Sequence, residues 1–275
     1  MKKMRIFVVL LAGLLFGLTA CEKRHKQDVL VLYPNWAEGI AITHLAKIML
    51  EEKGYTVTLK RIEPGPIYAA LSRGDADVYL DAWLPYTHKD YWDRYSQKLD
   101  VLGSVFDGGT TGIVVPSYVE INSIEELNAN KDKFDSKIFG IGVGAGIYYN
   151  TEKAIKEYNL ELNQLASSET SMVTALRKAV SRGEWIAITG WKPHFMWTNF
   201  DLKTLEDPKN VFPTDEIKIV TRKHFKEEKP EIANILSNYK LSEDLLNELI
   251  TEVDKDADPD VGARHFYEKY KSDLP

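Results

Sequence analysis

One cysteine in 275 residues removes several chemistries at once. Cys21 has no second thiol in the chain to pair with, so there is no intrachain disulfide framework and no multi-cysteine metal site. An excess of cations is also missing. Thirty-five Lys and Arg stand against 41 Asp and Glu, a formal net charge of −6, which argues against nucleic acid as a partner. Histidines at "TH" (43–44), "HKD" (88–90) and "RHF" (264–266) have neither metal-ligand nor triad spacing. "GVGAG", residues 142–146, looks like a phosphate loop but lacks the Gly-Lys-Ser/Thr ending and the full dinucleotide spacing. The expectation is a chain with no enzyme active site, no cofactor and no metal.

What is present begins with an address. "MKKMR" is a short basic region, and "IFVVLLAGLLFGL" is apolar over a secretory length but too short for a comfortable membrane span. "LTAC" then resembles the lipobox of bacterial lipoproteins. Residues 1–20 therefore read as a signal peptide and Cys21 as the lipidated N-terminus, with "EKRHKQD" as a polar tether over 21–27. Cleavage takes Lys2, Lys3 and Arg5 and no acid, leaving 255 residues and a net charge of −9. The expected location is extracytoplasmic, on a membrane surface through the lipid, with the plasma or inner membrane favoured.

From Asp28 strands and helices alternate. "VLVLY" reads as a strand, "EGIAITHLAKIMLEEKGY" as a helix closing on Gly54, and "TVTLKRI" as a strand. A helix ending near Gly74 leads to the strand "DVYLDAW". A second cycle starts at "TTGIVVP", and its helix before Gly183 and strand "WIAITGW" repeat that layout. Each half thus ends in Arg-Gly, a strand and a tryptophan. This order predicts an α/β fold of two similar lobes, with a ligand at the carboxyl ends of the strands. The expected boundaries are 28–109 for the first part of lobe 1, 110–212 for lobe 2, and 213–275 for the return to lobe 1 through the C-terminal helices.

Three tryptophans sit where a strand meets a turn or helix rather than inside an apolar run: Trp36 in "NWAEGIA", Trp83 in "DAWLP" and Trp191 in "GWKPHFMW". Trp92, Trp185 and Trp197 lie beside or within regular elements and read as packing residues. With the lipobox, the two-lobed order and "GAGIY", these motifs resemble the substrate-binding proteins of glycine-betaine ABC transporters, a family that also serves choline and proline betaine. The resemblance implies a type II periplasmic-binding-protein-like fold with its ligand in the cleft between lobes. It also implies an ABC permease as partner and a monomeric receptor. A quaternary ammonium has no N–H to donate, whereas an aromatic face attracts it at about 0.5–2 kcal/mol per ring. Trp36, Trp83 and Trp191 are therefore the expected cage, with Tyr148 a possible fourth wall.

A betaine also carries a carboxylate. Backbone amides at Gly39 and Ile40, at the start of the first helix, are the expected donors. His194, from the opposite lobe, is the expected side-chain donor. Glu38 has two readings: an acid that stabilises its helix N-terminus, which is preferred, or a counter-charge that would favour choline. Choline- or carnitine-preferring receptors of the same fold, and a ligand sensor, are the alternative functions.

Overall fold

The computed structural model describes residues 28–274. The expected signal peptide, Cys21 and tether lie outside the described residues. Among those described, no helix is long and apolar enough to cross a membrane.

The first half opens with β1 (Asp28–Tyr33), α1 (Ala37–Glu51), β2 (Thr56–Arg61), α2 (Pro64–Arg73) and β3 (Val78–Leu84). β1 pairs parallel with β2 and β3. β1 and β3 are buried almost throughout, which is why they read as near-continuous apolar runs rather than alternating ones. After α3 (Lys89–Tyr95), the long β4 (Leu99–Pro116) leaves this half. Residues Leu99 to Gly109 of β4 pair with β9 (Asp215–Arg222), and Thr110 to Val114 pair with β7 (Ile188–Lys192). Expecting a strand only from "TTGIVVP" missed this continuity, because "LDVLGSVFDGG" carries glycines and acids that mask a strand pattern.

The second half adds β5 (Lys137–Gly140), α4 (Gly146–Glu157), β6 (Asn163–Ala166), α5 (Glu169–Arg182), the short α6 (Met196–Asn199) and β8 (Leu202–Thr204). The sheet order is β2-β1-β3-β9-β4-β7-β5-β6, with β8 on β4. β3 and β7 are therefore equivalents. Each lies parallel to one neighbour, β1 or β5, and antiparallel to the other, β9 for β3 and the long crossing strand β4 for β7. The helix before each ends on a left-handed glycine, Gly74 (φ 76°) and Gly183 (φ 64°), a conformation with little cost only for glycine.

Four helices follow β9: α7 (Phe225–Glu228), α8 (Pro230–Ser237), α9 (Glu243–Asp254) and α10 (Pro259–Tyr270). The last two pack on α1, which explains why α1 is buried nearly all round. Asp260 of α10 ties that contact, its Oδ1 2.5 Å from His44 Nδ1, and Tyr239, between α8 and α9, donates to the Ile42 carbonyl at 3.0 Å.

Candidate functional site

At the carboxyl ends of β3 and β7, with the start of α4 between them, lies a small cavity with about 270 Å³ of space free of protein atoms, part of it open to solvent. Trp36, Trp83 and Trp191 line it together with Glu38, Thr87, His88, Thr111 and the loop into α4. All three indoles are buried.

Local structure sets each ring. Trp36 is the N-cap of α1, in extended conformation (φ −121°, ψ 148°), so its side chain leaves the helix axis. Trp83 ends β3 just before the cis Leu84–Pro85 bond, and Trp191 ends β7 just before the cis Lys192–Pro193 bond. Gly109 makes room for Trp83, since a Cβ there would come within 2.8 Å of its ring. Each strand-end indole N–H is committed to an acid. Trp83 Nε1 donates to Asp81 Oδ1 at 2.9 Å and Trp191 Nε1 to Glu38 Oε2 at 2.8 Å. The N–H edges are thereby satisfied, which leaves the ring faces free.

Glu38 is thus a buried wall residue bonded across the cleft as well as the acid in the first turn of α1. Burial, then the neighbouring Asp81 and Glu169 carboxylates, push its pKa well up. Asp81 is raised as well, chiefly by burial.

The opposite wall offers donors. The turn after β3 is held by Asp215, which accepts the amides of Tyr86 at 2.6 Å and Thr87 at 2.9 Å. His88 is fixed reciprocally to Trp83. Its amide donates to the Trp83 carbonyl at 2.8 Å, and its Nδ1 accepts the Trp83 amide at 3.0 Å. An accepting Nδ1 places the proton of the neutral ring on Nε2. That Nε2 is buried and has no partner among the described residues, like the hydroxyls of Thr87 and Thr111. Burial pushes the His88 pKa down to about 3, so the ring is a neutral donor at physiological pH. Facing it is the N-terminus of α4, where no side chain caps the helix. The amides of Gly146 and Ile147, its first two residues, have no intrahelical acceptor by position. The cavity therefore combines aromatic faces with a cluster of N–H and O–H groups lacking partners.

Four expected site residues are elsewhere. Ile40 donates its amide to the Trp36 carbonyl at 2.8 Å, closing the first turn of α1. Gly39 is small because the Asp81 carboxylate and Pro34 press on its Cα, and it does not line the cavity. His194 lies behind Trp191, ring centroids 4.6 Å apart, with Nδ1 accepting the Met196 amide at 2.9 Å. Tyr148 stacks edge-on against Tyr149 at 5.4 Å, one helical step past Ile147 and turned off the wall. Trp92, Trp185 and Trp197 do not line the cavity. Trp197 instead donates to the Trp191 carbonyl at 2.7 Å.

Sequence reasoning missed His88, Thr87, Gly146 and Ile147. Signals for them existed: His88 lies in the same segment as Trp83, and "GAGI" stands between a strand and a helix, where bare amides collect.

Residues 27–269 match the family model described as the substrate binding domain of the ABC-type glycine betaine transport system. The glycine betaine/carnitine transport binding protein GbuC of Listeria monocytogenes is 40% identical over 151 residues. That match spans 52% of this chain and 50% of the relative's length. Lactococcal OpuAC, in its closed-liganded conformation with glycine betaine, superposes with a TM-score of 0.84 at 30% identity, covering 90% of this chain and 97% of that one. A glycine betaine/L-proline-binding protein (ProX) from Borrelia burgdorferi gives 0.85 at 30% identity, covering 89% and 94%.

Proposed function

The chain belongs to the family of substrate-binding domains of ABC-type glycine betaine transport systems, and from that premise we propose that it is an extracytoplasmic receptor for a quaternary ammonium solute, glycine betaine foremost, which it delivers to an ABC permease. One observation carries the choice of ligand. Indoles from both halves meet in a single cavity whose other wall presents His88 Nε2–H and the bare amides of α4.

The chemistry of a betaine matches those two walls. Its ammonium is bulky and has no hydrogen to donate, so three ring faces at about 0.5–2 kcal/mol each supply a large share of the roughly 8 kcal/mol that micromolar affinity needs. Its carboxylate supplies the acceptors that His88, Thr87, Gly146 and Ile147 lack. A helix N-terminus favours an anion through its dipole as well as its amides. In this reading Trp36, Trp83 and Trp191 form the cage, and these four residues replace Gly39, Ile40 and His194 as the carboxylate donors. Lipidation at Cys21, a monomeric state and attachment to the plasma membrane belong to the same proposal and rest on the sequence.

A choline-preferring receptor is the second reading, favoured by Glu38 in the cavity wall. Choline has a hydroxyl in place of the carboxylate and would leave most of the donors unpaired, which a buried site penalises. Calorimetric titration with glycine betaine, proline betaine, choline and carnitine, alongside tryptophan fluorescence, decides between them. Glycine betaine is expected to bind more tightly than choline, and Trp83→Ala and Trp191→Ala are each expected to cost about 1–2 kcal/mol or more. Choline binding tenfold tighter than glycine betaine would reverse the preference. No binding of any of the four would remove the proposal.

A further inference from the structure

Away from the cavity wall, the two halves meet a second time. Glu169, the first residue of α5, extends from the second half, and its Oε2 accepts the amide of Ala37, the first residue of α1, at 3.1 Å. Its Oε1 lies 3.2 Å from His194 Nε2, with side-chain exposures of 10% for Glu169 and 0% for His194. Because His194 Nδ1 accepts the Met196 amide, the proton of the neutral ring sits on Nε2, beside Glu169. The N–H is not aligned for a full hydrogen bond, so His194 steadies the carboxylate by proximity and packing. Neither residue lines the cavity.

The N-terminus of α1 needs such a partner. The usual cap is a Ser, Thr, Asp or Asn side chain at the N-cap. Here the N-cap is Trp36, a wall of the cavity, and it makes no capping bond. α5, by contrast, is capped by its own Ser168, which accepts the Ser171 amide at 3.1 Å, leaving the Glu169 carboxylate available to the other half. Two helix N-termini thus flank one carboxylate: both dipoles favour it, and α1 donates the hydrogen bond.

We propose that Glu169 is the closure latch of this receptor, a positioning residue that touches no ligand and sets the lifetime of the closed form by capping α1 from across the cleft. The site that sequence reasoning assigned to the ligand carboxylate is filled by the protein's own carboxylate, and only while the halves are together. This inference rests on the reading of the cavity as a ligand site sealed by closure.

Two variants remove the bond from its two ends. Glu169→Ala takes away the acceptor carboxylate. Ala37→Pro takes away the N–H at the one helical position where proline is well tolerated, following a Trp36 already in the extended conformation that precedes proline. In stopped-flow tryptophan fluorescence, each is expected to raise the dissociation rate of glycine betaine about tenfold or more, the worth of a hydrogen bond to a charged group, with the association rate unchanged. The double variant is expected to be no worse than either single one, because both remove the same bond. Melting of the unliganded protein is expected to stay as in wild type while the liganded protein melts lower, which a merely structural residue would not produce. Spin labels across the cleft report the closed fraction independently of ligand, and that fraction is expected to fall in both variants. If wild type fails to bind glycine betaine, the proposed ligand falls and the closed fraction alone judges the latch. Dissociation rates and closed fractions equal to wild type in both variants overturn it.

Discussion

Trp191 donates its indole N–H to Glu38 Oε2 at 2.8 Å, joining a strand end of one half to the first turn of a helix in the other. Both residues line the cavity, so the ring that would face an ammonium, backed by His194, is also held by a contact that spans the cleft. Trp83 and Asp81 repeat the device within the first half. In each pair the acid fixes the ring through its in-plane N–H and leaves the π face free for a cation.

The bond and the charge of Glu38 are separable. Glu38→Gln keeps an acceptor oxygen for the indole, whereas Glu38→Ala leaves a buried N–H unpaired at about 1–3 kcal/mol. Alanine is therefore expected to weaken glycine betaine about tenfold or more, with glutamine much closer to wild type, both read by calorimetry. Equal losses in the two variants would assign the effect to the charge instead of the bond.

Gly146 is a second cross-cleft contact, with opposite consequences. A Cβ at this position would overlap the Thr87 carbonyl of the facing turn. Gly146→Ala is expected to prop the halves apart, abolishing the ligand-induced change in tryptophan fluorescence. Far-UV circular dichroism should stay as in wild type, since alanine is the better helix former. An unaltered titration curve would show that the two halves tolerate the extra methyl.

Much of this was legible in advance. The three tryptophans that line the cavity stood out because each follows a strand and precedes a turn or helix, a position that packing alone does not favour. The βα order was legible for the same reason, since Gly74 and Gly183 punctuate the helices before β3 and β7. The carboxylate end was not. Gly39 and Ile40 satisfied every local rule for an anion site, but Ile40 is spent inside its own helix and the Ala37 amide is taken by Glu169. That partner lies 132 positions away, a separation that no local pattern encodes. His88 was overlooked because its role depends on the Trp83 amide fixing its tautomer, a tertiary fact.

With Nε2–H facing the cavity, His88 is expected to read the ligand's anionic end. His88→Ala should weaken glycine betaine by about 1.5–3 kcal/mol, as for a hydrogen bond to a charged group, and leave choline nearly unchanged. Competitive titration of the two ligands checks this. Parallel losses would make His88 a support for Trp83 and not a donor.

His88 also ties stability to acid. Its pKa is about 3 in the folded protein against about 6.5 in an unfolded chain, so between those values only the unfolded state binds the proton. The stabilisation is complete above about pH 6.5 and is lost as pH falls through that window, by up to about 1.4 kcal/mol per unit. His44, lowered by burial, acts in the same direction. Urea denaturation from pH 7.5 down to 5 is expected to show the loss, and His88→Gln to reduce its slope by about one proton. An unchanged slope in that variant would place the acid sensitivity elsewhere.

Glu38 and Asp81 titrate in the opposite sense. Burial raises both above the ordinary carboxylate range, and the charges that raise them further are themselves negative: Asp81 and Glu169 on Glu38, and Glu169 on Asp81. The folded, unliganded protein therefore holds protons that an unfolded chain has released, and their contribution to stability is lost as pH rises toward the folded values. His88 is neutral, and burial raises the pKa of the Tyr68 and Tyr79 phenols, so these groups supply no compensating charge. A bound ammonium would supply one. Its attraction favours the ionised form of Glu38 and lowers that carboxyl's pKa. Ligand binding is then expected to release protons from this pair, and affinity to rise with pH across the range in which the unliganded pair titrates. Calorimetry in two buffers of different ionisation enthalpy measures the release, and Glu38→Gln should diminish it. Identical apparent enthalpies in both buffers, with affinity flat from about pH 5 to 8, would mean that the carboxyl groups keep their protonation state when the cation arrives.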